Sequence, residues 1–240
     1  MYVHLPIVPF FERPLKMHDC DISSFPDPGL YLLLPDGERI VLTHREIEKS
    51  TDSILNDREA LPESMRSAAD YKPCEICPER DTAVICHAIM PTIPFFDDID
   101  RYMSYDEVTA VYREKDSKSI IVSETTMAEA LKFITILSLS DYCEVGNKYL
   151  RYFSGVNPMM PADKIAKVVF KNIFLESRGN IERVQEKVYV MSDEILHTAK
   201  CQVARLNLIC SRDAFVNAYV NTDLITSFIK KEMREYISAN

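Results

Sequence analysis

The sequence predicts an α+β protein: a small N-terminal β-hairpin/β lobe with a cysteine-rich metal-site segment, then a C-terminal helical bundle. Three observations carry this reading. Eleven of the thirteen prolines fall before residue 95, and proline both interrupts helices and fails to donate within a central strand. Asp36-Gly37 stands between two β-rich runs, a strong hairpin signal. From Thr126 onward, apolar residues recur every three or four positions, the period of an amphipathic helix.

Taken in order, residues 1–28 show no clear period and read as an N-terminal arm. Residues 29–123 form the α+β lobe with the cysteine site, and 124–240 the bundle. Gly29–Leu34 and Arg39–Thr43 are the hairpin strands, joined by Pro35-Asp36-Gly37-Glu38. A short helix is expected from Thr43 or His44 through Ser50. Segment 73–95 carries Pro73, Pro78, Pro91 and Pro94, a spacing that forbids a long helix. Ser104–Arg113 and Ser119–Ser123 read as two more strands, with Glu114–Lys118 as their turn. Thr126 and Glu129 match a capping box, and Met127, Ala130, Leu131, Ile134 and Leu137 follow at helical spacing. This helix should end before Gly146, a candidate left-handed cap. A helix beginning at Pro161 closes at Gly179. A long stripe then runs from Ile181 through Val188, Ile195 and Val203 to Cys210; at 1.5 Å per residue it could reach about 45 Å. A last helix occupies Asp213–Ile237.

At 240 residues a chain can hide roughly 70–75% of its unfolded surface. The net charge is −9, from 37 acids against 28 bases, which argues against a nucleic-acid partner over the whole surface. Lys230, Lys231 and Arg234 form the strongest local basic cluster, read as a solvated helix face. No stretch approaches the roughly 20 apolar residues that span a bilayer. Met1–Phe11 is apolar but lacks the basic start of a signal peptide. A cytoplasmic location of bacterial type is therefore expected, where thiols stay reduced or bind metal.

The chemistry concentrates in Cys74-Glu-Ile-Cys77-Pro and Cys86-His87: three thiols and an imidazole within 14 residues, in a chain of seven cysteines. Cys-x-x-Cys places two sulfurs on one knuckle, the usual first half of a tetrahedral metal site. Cys74, Cys77 and Cys86 supply three ligands. The fourth is Cys143, at the end of the 126–141 helix, or His87 as the alternative. Zinc suits such a set; an iron–sulfur cluster also takes four thiolates, although the spacing does not match the tight ferredoxin run. A redox pair would need a strand leading into a helix, which Pro73 opposes.

Other candidates carry less. Asp97, Asp98 and Asp100 lack the alternation and the glycine of a calcium loop and read as an acidic helix start. His197 and Cys201 share a helix face, and Glu194 with His197 makes a lone Glu-x-x-His; a di-iron bundle needs two such motifs, so these read as ordinary helix surface. Cys20 and Cys210 read as packing residues. The dinucleotide fingerprint, the phosphate loop, the nucleophile elbow and the His-Glu-x-x-His motif are all absent.

The run Cys74-Glu-Ile-Cys77-Pro, then Cys86, Phe96-Asp97-Asp98 and Ser104-Tyr105-Asp106 resembles a family of uncharacterised bacterial proteins. Those proteins carry Cys-Pro-x-Cys-Pro, a later Cys-Pro, and Phe-Asp-Asp followed by Ser-Tyr-Asp. The resemblance covers residues 29 to about 230, including Asp213–Leu224. It implies Cys74, Cys77, Cys86 and Cys143 as one set. The chain departs from the pattern where His87 and Glu144 replace the usual prolines, which keeps His87 open as a ligand.

The sequence thus points to a metal-stabilised binding or regulatory module with a protein partner. An iron–sulfur sensor or electron carrier is one alternative, and a metal-dependent enzyme with an open coordination position is another. The 181–210 stripe could serve a homo-oligomer as readily as a core.

Overall fold

The computed structural model describes residues 22–115 and 120–239. Residues 1–21, with Cys20, positions 116–119, where the sequence reading placed a turn, and residue 240 lie outside the described residues. The protein is α+β: a four-stranded antiparallel sheet near the N-terminus, with helices making up most of the rest.

Strands β1 (Gly29–Leu33), β2 (Arg39–Thr43), β3 (Glu107–Arg113) and β4 (Ile120–Thr126) lie in the order β2-β1-β3-β4. The hairpin is the expected one. Leu34 and Glu38 close it by a backbone hydrogen bond of 2.9 Å, and Gly37 takes φ +89°, a conformation open to glycine without steric cost. Side chains alternate across the sheet. Leu30, Leu32, Ile40, Leu42, Val108 and Ala110 face the main core. Tyr31 and Val111 point to the other face and are covered by Phe25. Residues just before β1 are thus docked: Arg113 Nη1 donates to the Phe25 carbonyl and Arg39 Nη2 to that of Ser24.

Helix α1 (His44–Asn56) is longer than expected, and α2 (Glu63–Asp70) follows as an element the sequence reading does not place. Both are amphipathic: Ile47 and Ile54 on α1, and Met65, Ala68 and Ala69 on α2, are buried. The cysteine segment contains turns and short 3₁₀ pieces, as its prolines require, ending in α3 (Phe96–Ile99).

The single helix expected over 126–141 is instead broken. Thr126 does cap α4 (Met127–Ala130), accepting from the Glu129 amide at 3.5 Å. The Glu129 carboxylate, however, turns to Lys132 and Asn221 rather than back to the cap. After α5 (Lys132–Leu137) the chain makes a π-helical turn over Ser138–Tyr142. Ser140 Oγ bonds the Ile136 carbonyl at 2.7 Å, a back-bond that bends helices, and Ser138 Oγ donates to the Ala88 carbonyl. Gly146 is not a left-handed cap. It lies inside α6 (Glu144–Asn147), where a Cβ would fall 1.6 Å from the Leu139 carbonyl oxygen.

Three long helices complete the chain: α7 (Ala162–Glu176), α8 (Ile181–Leu206) and α9 (Ala214–Ala239). Gly179 closes α7 with φ +71°. The 26 residues of α8 span about 39 Å, and Cys210 lies beyond its end. One buried apolar cluster includes the sheet face, Ile85 and Ile89 of the cysteine segment, and residues of α7, α8 and α9. Among the described residues no helix is long and apolar enough to cross a membrane.

Candidate metal centre

The cysteine segment is pinned to its surroundings chiefly through its backbone. The Cys86 amide donates to the Ala69 carbonyl at the end of α2, at 3.4 Å. Lys72 Nζ donates to the Ala83 carbonyl and closes the loop between them. The carbonyls of Ala68 and Ala69 also receive Arg205 Nη1 from α8. On its other side the segment meets the π-helical turn through Ser138 and Ala88. Segment, turn and α8 therefore converge, and their thiols converge with them.

One cleft is lined by Cys74, Cys77, Cys86 and Cys143, with His87 and Gln202 at its wall. Cys143 packs with Ala88 and Val145 in a small apolar cluster against which Cys77 and Cys86 rest. Cys74 and Cys143 are buried, and Cys77 and Cys86 are half-buried. The Gln202 amide donates to Cys86 Sγ at 3.6 Å. All four residues expected from the sequence line this cleft, while the groups whose ligand atoms come within 4.8 Å of one another are two others.

Two further donors stand beside them. His197 and Cys201, on α8, reach Cys74 so that the three ligand atoms lie within 4.8 Å of one another, a group that could hold a metal ion. This corrects the expectation of ordinary helix surface for that pair: Cys201 is buried, and His197 Nε2 is buried without a hydrogen-bond partner. His87 belongs to another such group, with Glu79 and Glu144, its Nδ1 lying 3.8 Å from each carboxylate. No iron, zinc or other ion is fixed by these atoms alone; tetrahedral thiolate–imidazole sets favour zinc, and all-thiolate sets admit zinc or iron–sulfur.

The thiols are not electrostatically alike. Hydrogen bonding with the Cys201 thiol pulls the Cys74 pKa below its usual range, against burial, with help from the Ile76 and Cys77 amides and from His197. The same hydrogen bond, together with burial, pushes Cys201 up. Burial raises Cys77, with the charges of Cys74 and Cys86 acting in the same sense. Burial also lifts Cys143 to about 11, opposed by the Gly146 and Val145 amides. Cys74 is therefore the thiol whose surroundings most favour ionisation among those shifted, and the nucleophilic, metal-ligating form of cysteine is the thiolate.

The residues missed by sequence reasoning form a polar stripe. Thr198, Gln202 and Arg205 are all buried on α8, spaced four and three apart, with Cys201 between them. The signal was helical periodicity among polar residues, which a count of apolar positions passes over. The acidic run reads as expected: Asp97 and Asp98 lie in the first turn of α3, and Asp100 caps the bend after α8 by accepting from the Ser211 amide at 2.9 Å. Cys210 packs against the core, with its pKa pushed up to about 12 by burial and by Asp100. Lys230 pairs with Asp193, and Lys231 with Glu235, as befits a solvated face.

No family model, no curated protein and no solved structure matches this chain.

Proposed function

We propose that this protein is a metal-stabilised binding or regulatory module, in which zinc held by Cys74, Cys77, Cys86 and Cys143 fastens the proline-rich segment to the helices. The observation that supports it is the shared cleft: four cysteines from two separate stretches of chain line one small space. Cys74, Cys77 and Cys86 lie on irregular chain, whereas Cys143 follows the π-helical turn. A metal ion joining them ties backbone that has few ladder hydrogen bonds to backbone that packs in the core. Structural zinc contributes apparent binding energies of about 10–16 kcal/mol, against a net domain stability of about 5–15 kcal/mol, so the segment's fold would depend on it.

Elemental analysis of anaerobically purified protein, with an absorbance spectrum on the same sample, tests this reading. Bound zinc and a colourless solution are expected, with loss of ordered structure in 71–95 on chelation. A chelated protein that keeps its full circular dichroism and its melting temperature overturns it. The surplus of thiols around Cys74 favours one second reading, an iron–sulfur sensor or electron carrier, since such clusters take four thiolates. A brown sample containing iron and inorganic sulfide would establish it instead.

A further inference from the structure

The donors outnumber what one ion needs. Cys74, Cys77, Cys86, Cys143 and Cys201 bring five sulfurs and His197 one nitrogen, and a tetrahedral zinc takes four ligands. Their arrangement is also two-sided. The cleft is lined by Cys74, Cys77, Cys86 and Cys143, but not by His197 or Cys201. His197 and Cys201 gather instead at Cys74, with all three ligand atoms within 4.8 Å. Cys74 is the residue common to both groups.

Resting on the zinc reading above, we infer that the centre holds two metal ions, with Cys74 as the shared, bridging thiolate. One ion is bound by Cys74, Cys77, Cys86 and Cys143. The other is bound by Cys74, Cys201 and His197, whose ligand atoms lie within 4.8 Å of one another. Six donors with one of them shared supply seven of the eight bonds of two tetrahedra, so the second ion keeps one position for a further ligand. Each metal–thiolate bond forms as the thiol releases its proton to solvent, so loading releases protons and changes no oxidation state.

Two orphaned groups support this assignment. His197 Nε2 is buried with no hydrogen-bond partner, a costly state for a polar nitrogen that a coordinate bond relieves. Arg205, 1% exposed, donates to the carbonyls of Ala68 and Ala69, and no carboxylate forms an ion pair with it among the described residues. A buried cation calls for an opposite charge nearby. Five thiolates around two divalent ions leave one negative charge in excess, and Arg205 lies close enough to act on Cys201.

The test is metal stoichiometry on the full chain, reconstituted with zinc alone. Two equivalents are expected in the unaltered protein, and one in His197→Ala and in Cys201→Ser. Cadmium NMR on the unaltered protein needs no variant and so survives any failure of a variant to fold; two resonances coupled through a shared sulfur are expected. A single equivalent that persists in His197→Ala and Cys201→Ser overturns the second position and leaves the zinc module standing. A single equivalent lost in either variant overturns the two-ion assignment as well. Protein that binds no zinc overturns both readings together.

Discussion

The sheet and the cysteine segment share one apolar core but differ in how their backbones are held. In the sheet every strand exchanges backbone hydrogen bonds with a neighbour in unbroken register, and its inward face is closed by leucine, isoleucine and valine. The segment has no strand, a few short 3₁₀ turns, and side chains that combine apolar anchors with thiols. Ile85, Ile89 and Met90 are buried, yet the stretch from Lys72 to Val84 carries Ile76 and Val84 in exposed positions. Hydrophobic burial is non-directional and spreads over many contacts, whereas coordination acts through a handful of atoms. The first should fail gradually under substitution and the second abruptly.

The sharpest way to separate the two is to remove the metal that the proposed function places in the segment. Chelation, or Cys74→Ser, should abolish amide protection across 71–95 while amides of β1 and β3 stay protected; hydrogen exchange read by mass spectrometry checks this. Equal loss in both regions would mean that the segment and the sheet unfold as one. Next in size is Leu32→Ala in the sheet. Leu32 is fully buried, and deletion of such a side chain typically costs about 2–5 kcal/mol. It should lower the melting temperature of the whole chain and leave metal content unchanged.

Arg205→Met probes the seam between the regions. It leaves the Ala68 carbonyl without that donor, an unsatisfied buried group costing about 1–3 kcal/mol, while the Ala69 carbonyl keeps the Cys86 amide, and should loosen α2 from α8. Denaturant melts should show this together with weaker metal retention, since the buried cation beside the thiolates is lost. Asn180→Ala removes the cap that accepts from the Arg183 amide at 3.0 Å; about 1 kcal/mol of stability should go, with no effect on the metal.

The smallest effect is expected at Glu176. Lys187 holds its carboxyl below the usual range, with Arg151 and Tyr152 adding to this against slight burial. Its contribution is present above the ordinary carboxylate pKa and fades as pH falls through the depressed value. Both partners are partly exposed, so solvent screening keeps the pair below about 1 kcal/mol. Glu176→Gln should flatten stability against pH over that acid range in thermal melts.

Legibility in the sequence followed the same division. The hairpin was readable because Asp36-Gly37 dictates its turn locally, and α7, α8 and α9 because their apolar periods run for many turns. The break within 126–147 was not. Its causes are tertiary: the Ala88 carbonyl waiting for Ser138, and the Leu139 carbonyl lying where a side chain at 146 would go. At the site, Cys74, Cys77 and Cys86 announced themselves by spacing. His197 and Cys201 did not, because a helix records which residues share a face without recording what that face meets.

Gly146 gives the fold a signature of its own. With the Leu139 carbonyl only 1.6 Å from where a Cβ would sit, any side chain there parts the π-helical turn from the helix that begins just after Cys143. A chain that kept all five clustered cysteines but replaced this glycine would have to reach its fourth thiol by another route. A relative of this architecture would therefore be recognised by a residue that has no chemistry at all.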